Sequence, residues 1–132
     1  MMQKNVVYYQ NGEKIIEAGK KENKMYIILE GEVEITLSDG NNKIVVAYLK
    51  KSDFFGEISL FANTPRSATV TARGSVKLVY IDNVNDLKTF LVKNPTFAAK
   101  MVSILAKRLA QTDEILIGKI SELNRIKITR DV

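Results

Sequence analysis

The chain has no histidine, no cysteine and no tryptophan among its 132 residues, and two prolines. Without histidine and cysteine the usual zinc ligands are missing, and so are the Ser-His and Cys-His nucleophile pairs and the commonest general base. A disulfide framework is equally impossible. Asp and Glu could hold a metal by themselves, but no suitable carboxylate cluster stands out, so neither catalytic residues nor a metal site is expected. No apolar run approaches the roughly 20 residues that span a bilayer. The start, Met1 to Val6, lacks the apolar core and small-residue cleavage site of a secretion signal. A cytoplasmic protein without a membrane span is the expectation. No internal repeat or low-complexity segment is visible.

What is present is ordinary globular composition, 45% hydrophobic and 27% charged. The length suits a single domain that buries roughly two-thirds of its unfolded surface. The net charge is +5. Fifteen of the twenty basic residues are lysines scattered along the chain. They read as a solvated surface with a mild field attracting anions, rather than as a nucleic-acid face.

The first eighty residues alternate between strand runs and turn signals. Val6 to Tyr9 is β-branched and aromatic, and ends at Asn11-Gly12. Lys14 to Glu17 follows, and then the polar loop Lys20-Lys21-Glu22-Asn23-Lys24. Met25 to Leu29 is interrupted at Gly31 before Val33 to Leu37, and Ser38 to Asn42 is a turn. Lys43 to Leu49, Ala68 to Ala72 and, past Gly74, Val76 to Ile81 complete the set. Short strands at near-regular spacing predict an antiparallel β jelly-roll barrel over 1–82.

The period then becomes helical. A short helix is expected over Asn83 to Val92, with Asn83 or Asn85 at its cap, and a long one from Asn94-Pro95. On the long helix Val102, Leu105, Leu109, Thr112, Leu116, Lys119, Leu123 and Ile126 form a heptad seam. Met101, Ile104, Ile115 and Ile120 form a second stripe. Two stripes predict contact with the barrel on one side and a parallel two-fold homodimer on the other. The basic end from Arg125 to Val132 is expected to fray. The whole, 1–132, is expected to be one domain, with helices over 83–127.

Chemistry concentrates between the strands. Asp53 to Phe61 looks like a helical turn introduced by Gly56, whose free backbone N–H groups favour an anion. Arg66, just before a strand, would aim a planar fork of donors at the same anion. Glu57 would repel a phosphate, so its presence fits a second job, accepting from a sugar hydroxyl.

Gly56-Glu57-Ile58-Ser59-Leu60 with Pro65-Arg66-Ser67-Ala68-Thr69-Val70 resembles the phosphate-binding cassette, here 56–70, of the cyclic-nucleotide-binding domain family. That family includes catabolite activator protein, protein kinase A regulatory subunits and cyclic-nucleotide-gated channels. Gly12, Gly19, Tyr26 and Gly31 also fall at family turn and strand positions. The resemblance implies that backbone N–H groups of Gly56, Ile58 and Ser59 cradle the phosphate or ribose. It implies that Glu57 accepts from the 2′-OH, that Arg66 pairs with an exocyclic phosphate oxygen, and that Ser67 donates to the phosphate or to a syn base, with Ala68 closing the cassette. Thr112 and Asp113 on the long helix are the matching base-contact positions. Relatives often carry Gly-Asp pairs in the loop after Gly19. Here that loop is Lys20 to Lys24, and it is expected to lie away from the cassette.

The implied function is a non-enzymatic sensor that needs no cofactor. Its ligand is cyclic AMP or cyclic GMP, the former favoured because Thr112 both donates and accepts. Ligand would reposition the long helix and signal through a dimer or an effector protein not identifiable from the sequence. One alternative is a cyclic-nucleotide-responsive transcription regulator, although the chain stops at Val132, before a DNA-binding module would fit. The other is a protein-interaction domain whose degenerate cassette binds nothing.

Overall fold

The computed structural model describes residues 5–39, 41–62 and 65–127, with the side chains of residues 39 and 112–127 excepted. It contains β1 (Val6–Tyr9), β2 (Lys14–Ile16), β3 (Met25–Asp39), β4 (Asn42–Lys50), β5 (Phe54–Phe55), α1 (Glu57–Ala62), β6 (Thr69–Ile81), α2 (Val84–Lys93) and α3 (Pro95–Lys127). The chain divides into two compact units, 1–90 and 91–132, with the division inside α2.

The first unit is built on one antiparallel sheet in the order β1-β6-β3-β4, with β2 added to β6 and β5 to β3. The jelly-roll expectation holds, but among the described residues the path of strands is open, so "barrel" describes it loosely. Two glycines expected to break strands lie inside them. Gly31 sits within β3 and Gly74 within β6. Both have positive φ, 96° and 77°, a conformation that glycine adopts without steric penalty. The β3–β6 register slips on either side of Glu30, as bulges do, and this bends the strands without ending them. At Gly31 the strands come so close that a Cβ would lie 2.4 Å from the Ser75 carbonyl oxygen.

Tyr26, Ile28, Val33, Val70, Ala72, Val76 and Leu78 form the core cluster with Ile15, Ile16 and Phe55. Their neighbours Met25, Ile27, Val79 and Ile81 point by strand alternation to the opposite face, yet they too are buried. This middle part of the sheet is therefore covered on both faces. β4 differs, since among the described residues it pairs with β3 alone and exposes Ile44, Val45, Val46 and Tyr48. The Arg73 guanidinium lies 4.5 Å from the centre of the Tyr48 ring, a cation–π contact that half-covers the aromatic face.

α2 begins one residue later than predicted. Asn83 is its cap, its Oδ1 accepting from the Asp86 N–H at 2.8 Å, which satisfies one of the free donors of the first turn.

In the second unit, the Asn94 carbonyl accepts the Ala98 N–H at 3.0 Å as α3 opens on Pro95. On α3, Met101 is buried, whereas Val102 and Leu109 are 68% and 63% exposed. The two stripes thus differ in environment as far as they are described. Thr112, Asp113 and the rest of the seam fall where side chains lie outside the described residues. Of the end expected to fray, Arg125 to Lys127 remain in α3, and 128–132 lie outside the described residues.

Candidate functional site

β5 positions the site. Its two residues pair with β3, Phe55 opposite Tyr26 and Phe54 opposite Ile27. The Tyr26 and Phe55 rings stack at 5.2 Å between centroids and 16° between planes, anchoring the chain one residue before Gly56. Gly56 then turns with φ 85°, and α1 starts at Glu57. A Cβ at Gly56 would stand 2.7 Å from the Lys24 carbonyl oxygen and 3.0 Å from Arg66 Nη1. Glycine is required here both by the backbone angle and by the arginine beside it.

Arg66 is the centre of the arrangement. Only 4% of its side chain is exposed. Nη1 donates to the Gly56 carbonyl at 3.1 Å and Nη2 to the Lys24 carbonyl at 2.6 Å. Nε is buried and has no hydrogen-bond partner. A buried, unpaired donor on a cation is costly. The guanidinium thus keeps one donor, Nε, unspent while both terminal nitrogens are tied to backbone oxygens.

The cassette positions distribute around this cation. Gly56 touches it directly. Glu57 is half-buried at the start of α1, Ile58 is exposed and Ser59 is buried. Ser67 is exposed and Ala68 half-buried, between Arg66 and β6. The structure brings Gly56 and Arg66 into contact. The side chains of Thr112 and Asp113 lie outside the described residues. Among the described residues no group of three or more carboxylates could hold a metal.

One sequence expectation needs correction. The loop from Lys20 to Lys24 does not lie away from the cassette. The Arg66 N–H donates to the Lys20 carbonyl and the Gly19 N–H to the Arg66 carbonyl, both at 2.8 Å. Lys24 supplies the carbonyl under Nη2, and Glu22 Oε1 stands 3.5 Å from the same nitrogen. The placement expected from relatives fails because the loop reaches Arg66 through backbone hydrogen bonds between residues far apart in the chain, which residue order does not display.

Tyr26 and Tyr9 share that neighbourhood. Burial, and next the charge of Glu22, push the Tyr26 hydroxyl well above the ordinary phenol range. Tyr9 is raised by burial and then by Glu22 and Glu13. Both therefore stay neutral donors at physiological pH.

An open antiparallel jelly roll with a buried arginine clamped against a glycine turn defines a small ligand-binding β domain followed by helices. Residues 6–94 match the cyclic nucleotide-binding domain family, and the chain belongs to that family. It is 42% identical over 80 residues to a cAMP-dependent protein kinase regulatory subunit of Dictyostelium discoideum, covering 58% of this chain and 24% of that one. The match thus spans about a quarter of that relative's length. Among solved structures, catabolite activator protein of Thermus thermophilus aligns with TM-score 0.72 and 26% identity over 84% of this chain and 52% of that one. A cAMP-bound PfPKA-R structure aligns with TM-score 0.56 and 37% identity over 58% of this chain and 28% of that one. The chain is a cyclic nucleotide-binding domain related to both groups. No described helix is long and apolar enough to cross a membrane.

Proposed function

We propose that this chain is a non-catalytic, cytoplasmic sensor domain that binds cyclic AMP in preference to cyclic GMP across 56–70. The observation that carries the reading is the buried Arg66, with its Nε unpartnered beside Gly56. That donor suits the exocyclic oxygen of a cyclic phosphate. Glu57 accepts from the ribose 2′-OH, the N–H groups of Gly56, Ile58 and Ser59 surround phosphate and ribose, and Ser67 donates beside Ala68. Thr112 and Asp113 contact the base. The cAMP-bound PfPKA-R relative supports the choice of ligand class.

Residues 1–132 act as one functional domain in this reading, with 1–82 carrying the ligand and 83–127 the output. Ligand binds better when α3 closes on the base, and so shifts the population of helix positions. The output passes through an α3 homodimer or an effector protein.

Parallel calorimetry with cyclic AMP, cyclic GMP and a cyclic dinucleotide tests the ligand, and an amide-shift titration tests the output. Binding to cyclic AMP with shifts both at 56–68 and within 100–125 is expected. Silence towards all three ligands refutes the sensor. Shifts confined to the cassette refute the moving helix.

A further inference from the structure

We propose that Glu22 is the resident counter-ion of Arg66, occupying the cation when no ligand is bound and opposing the charge of an incoming phosphate. The proposal rests on the cyclic-nucleotide reading of the site.

Three observations carry it. Glu22 Oε1 stands 3.5 Å from Nη2 of a guanidinium that is almost wholly buried. The loop bearing Glu22 is fixed on both sides of it: Lys20 and Gly19 bond the Arg66 backbone, and the Lys24 carbonyl takes Nη2. The carboxylate is therefore held near the cation by backbone, not by its own side chain alone. Finally, the basic residues flanking Glu22 in the loop are partly engaged elsewhere. Lys20 pairs with Glu17, and Lys24 Nζ lies 4.5 Å from the centre of the Tyr80 ring.

The charge balance gives the consequence. Arg66 and Glu22 together are neutral. A cyclic phosphate diester carries one negative charge, so its arrival makes a triad with a net charge of −1. A phosphate drawn to the unpaired Nε would come to lie beside Nη2, the nitrogen that Glu22 already faces. With Gln at 22 the site starts positive, and the same ligand neutralises it. Glu22 is 43% exposed, so water and salt screen much of the repulsion, and the effect is that of a surface pair rather than a buried one.

The test compares wild type, Glu22→Gln and a control, Glu30→Gln, which removes the same charge from an exposed position of β3 opposite Lys77. Calorimetry with cyclic AMP at low and high salt reads the affinities. Glu22→Gln is expected to bind about two- to fivefold tighter at low salt, with the ratio shrinking as salt rises and the control staying near wild type. A merely structural Glu22 would loosen the loop and weaken binding at both salt levels. Equal or weaker binding by Glu22→Gln, or equal tightening by the control, overturns the counter-ion alone. A wild type that binds neither cyclic AMP nor cyclic GMP overturns both the counter-ion and the functional reading.

Discussion

Replacing Arg66 separates a ligand anchor from a structural clamp, because the residue has features of each. Its guanidinium ties the Gly56 and Lys24 carbonyls, and its Nε is unpaired. Truncation to Ala removes the charged partner of the phosphate. For a buried, hydrogen-bonded charge pair that loss is about 2–5 kcal/mol, or roughly thirtyfold to several thousandfold in affinity. The side chain is 4% exposed, so no large discount for screening applies. Truncation also leaves two carbonyls without their charged donors, at about 1–3 kcal/mol each unless water enters. The free protein should therefore melt at a lower temperature as well. Arg66→Lys divides the two effects. It keeps the charge, but a compact ammonium cannot reproduce a fork that spans two carbonyls and an anion. It should recover part of the stability and little of the affinity. Calorimetry of folded material, with thermal melts run alongside, makes the comparison. If both variants remain folded and bind cyclic AMP within threefold of wild type, Arg66 is a clamp and the phosphate assignment fails.

Other outcomes follow from the same geometry. Gly56→Ala forces a side chain into a positive-φ position 2.7 Å from a carbonyl oxygen and should cost about 1–3 kcal/mol of stability, read by denaturant titration; an unchanged midpoint would contradict the geometry. The native state holds the Tyr26 proton above the pH at which the unfolded chain releases it, near 10. Its contribution is thus complete below about pH 10 and declines as pH rises through the raised folded value, by at most about 1.4 kcal/mol per pH unit. Tyr26→Phe should flatten the decline of stability measured above about pH 10, leaving the share due to Tyr9. Leu109→Glu puts a charge on the exposed α3 stripe. In a two-fold dimer it would strike both protomers and weaken association by about a hundredfold or more. Sedimentation should then show monomer where wild type shows dimer, and a monomeric wild type ends the dimer proposal.

Much of this was legible in residue order, and the failures have specific causes. Val6 to Tyr9, Lys43 to Leu49 within β4, and the helix change after Ile81 declared themselves through period and caps. Gly31 and Gly74 did not. A glycine at positive φ looks the same in a sequence whether it ends a strand or lets two strands approach within a bulge. Phe54-Phe55 is too short to show a period, and it becomes a strand because β3 is beside it. Arg66 and Gly56 were recognisable from the cassette pattern. Glu22 was not, since its place depends on hydrogen bonds from Gly19, Lys20 and Lys24 across 42 to 47 positions of chain.

Those same bonds bear on how the domain tolerates change. Surface loops between strands ordinarily accept insertions at little thermodynamic cost. The loop after β2 is an exception, because Gly19, Lys20 and Lys24 all bond Arg66 by backbone groups. Lengthening it by a residue between 20 and 24 would shift either the amide clamp or the carbonyl under Nη2. The turn at Asn11-Gly12 is held in the same way, the Gly12 N–H donating to the Ala72 carbonyl and the Asn11 Oδ1 accepting from the Gly74 N–H, so affinity tags and reporter grafts suit neither segment.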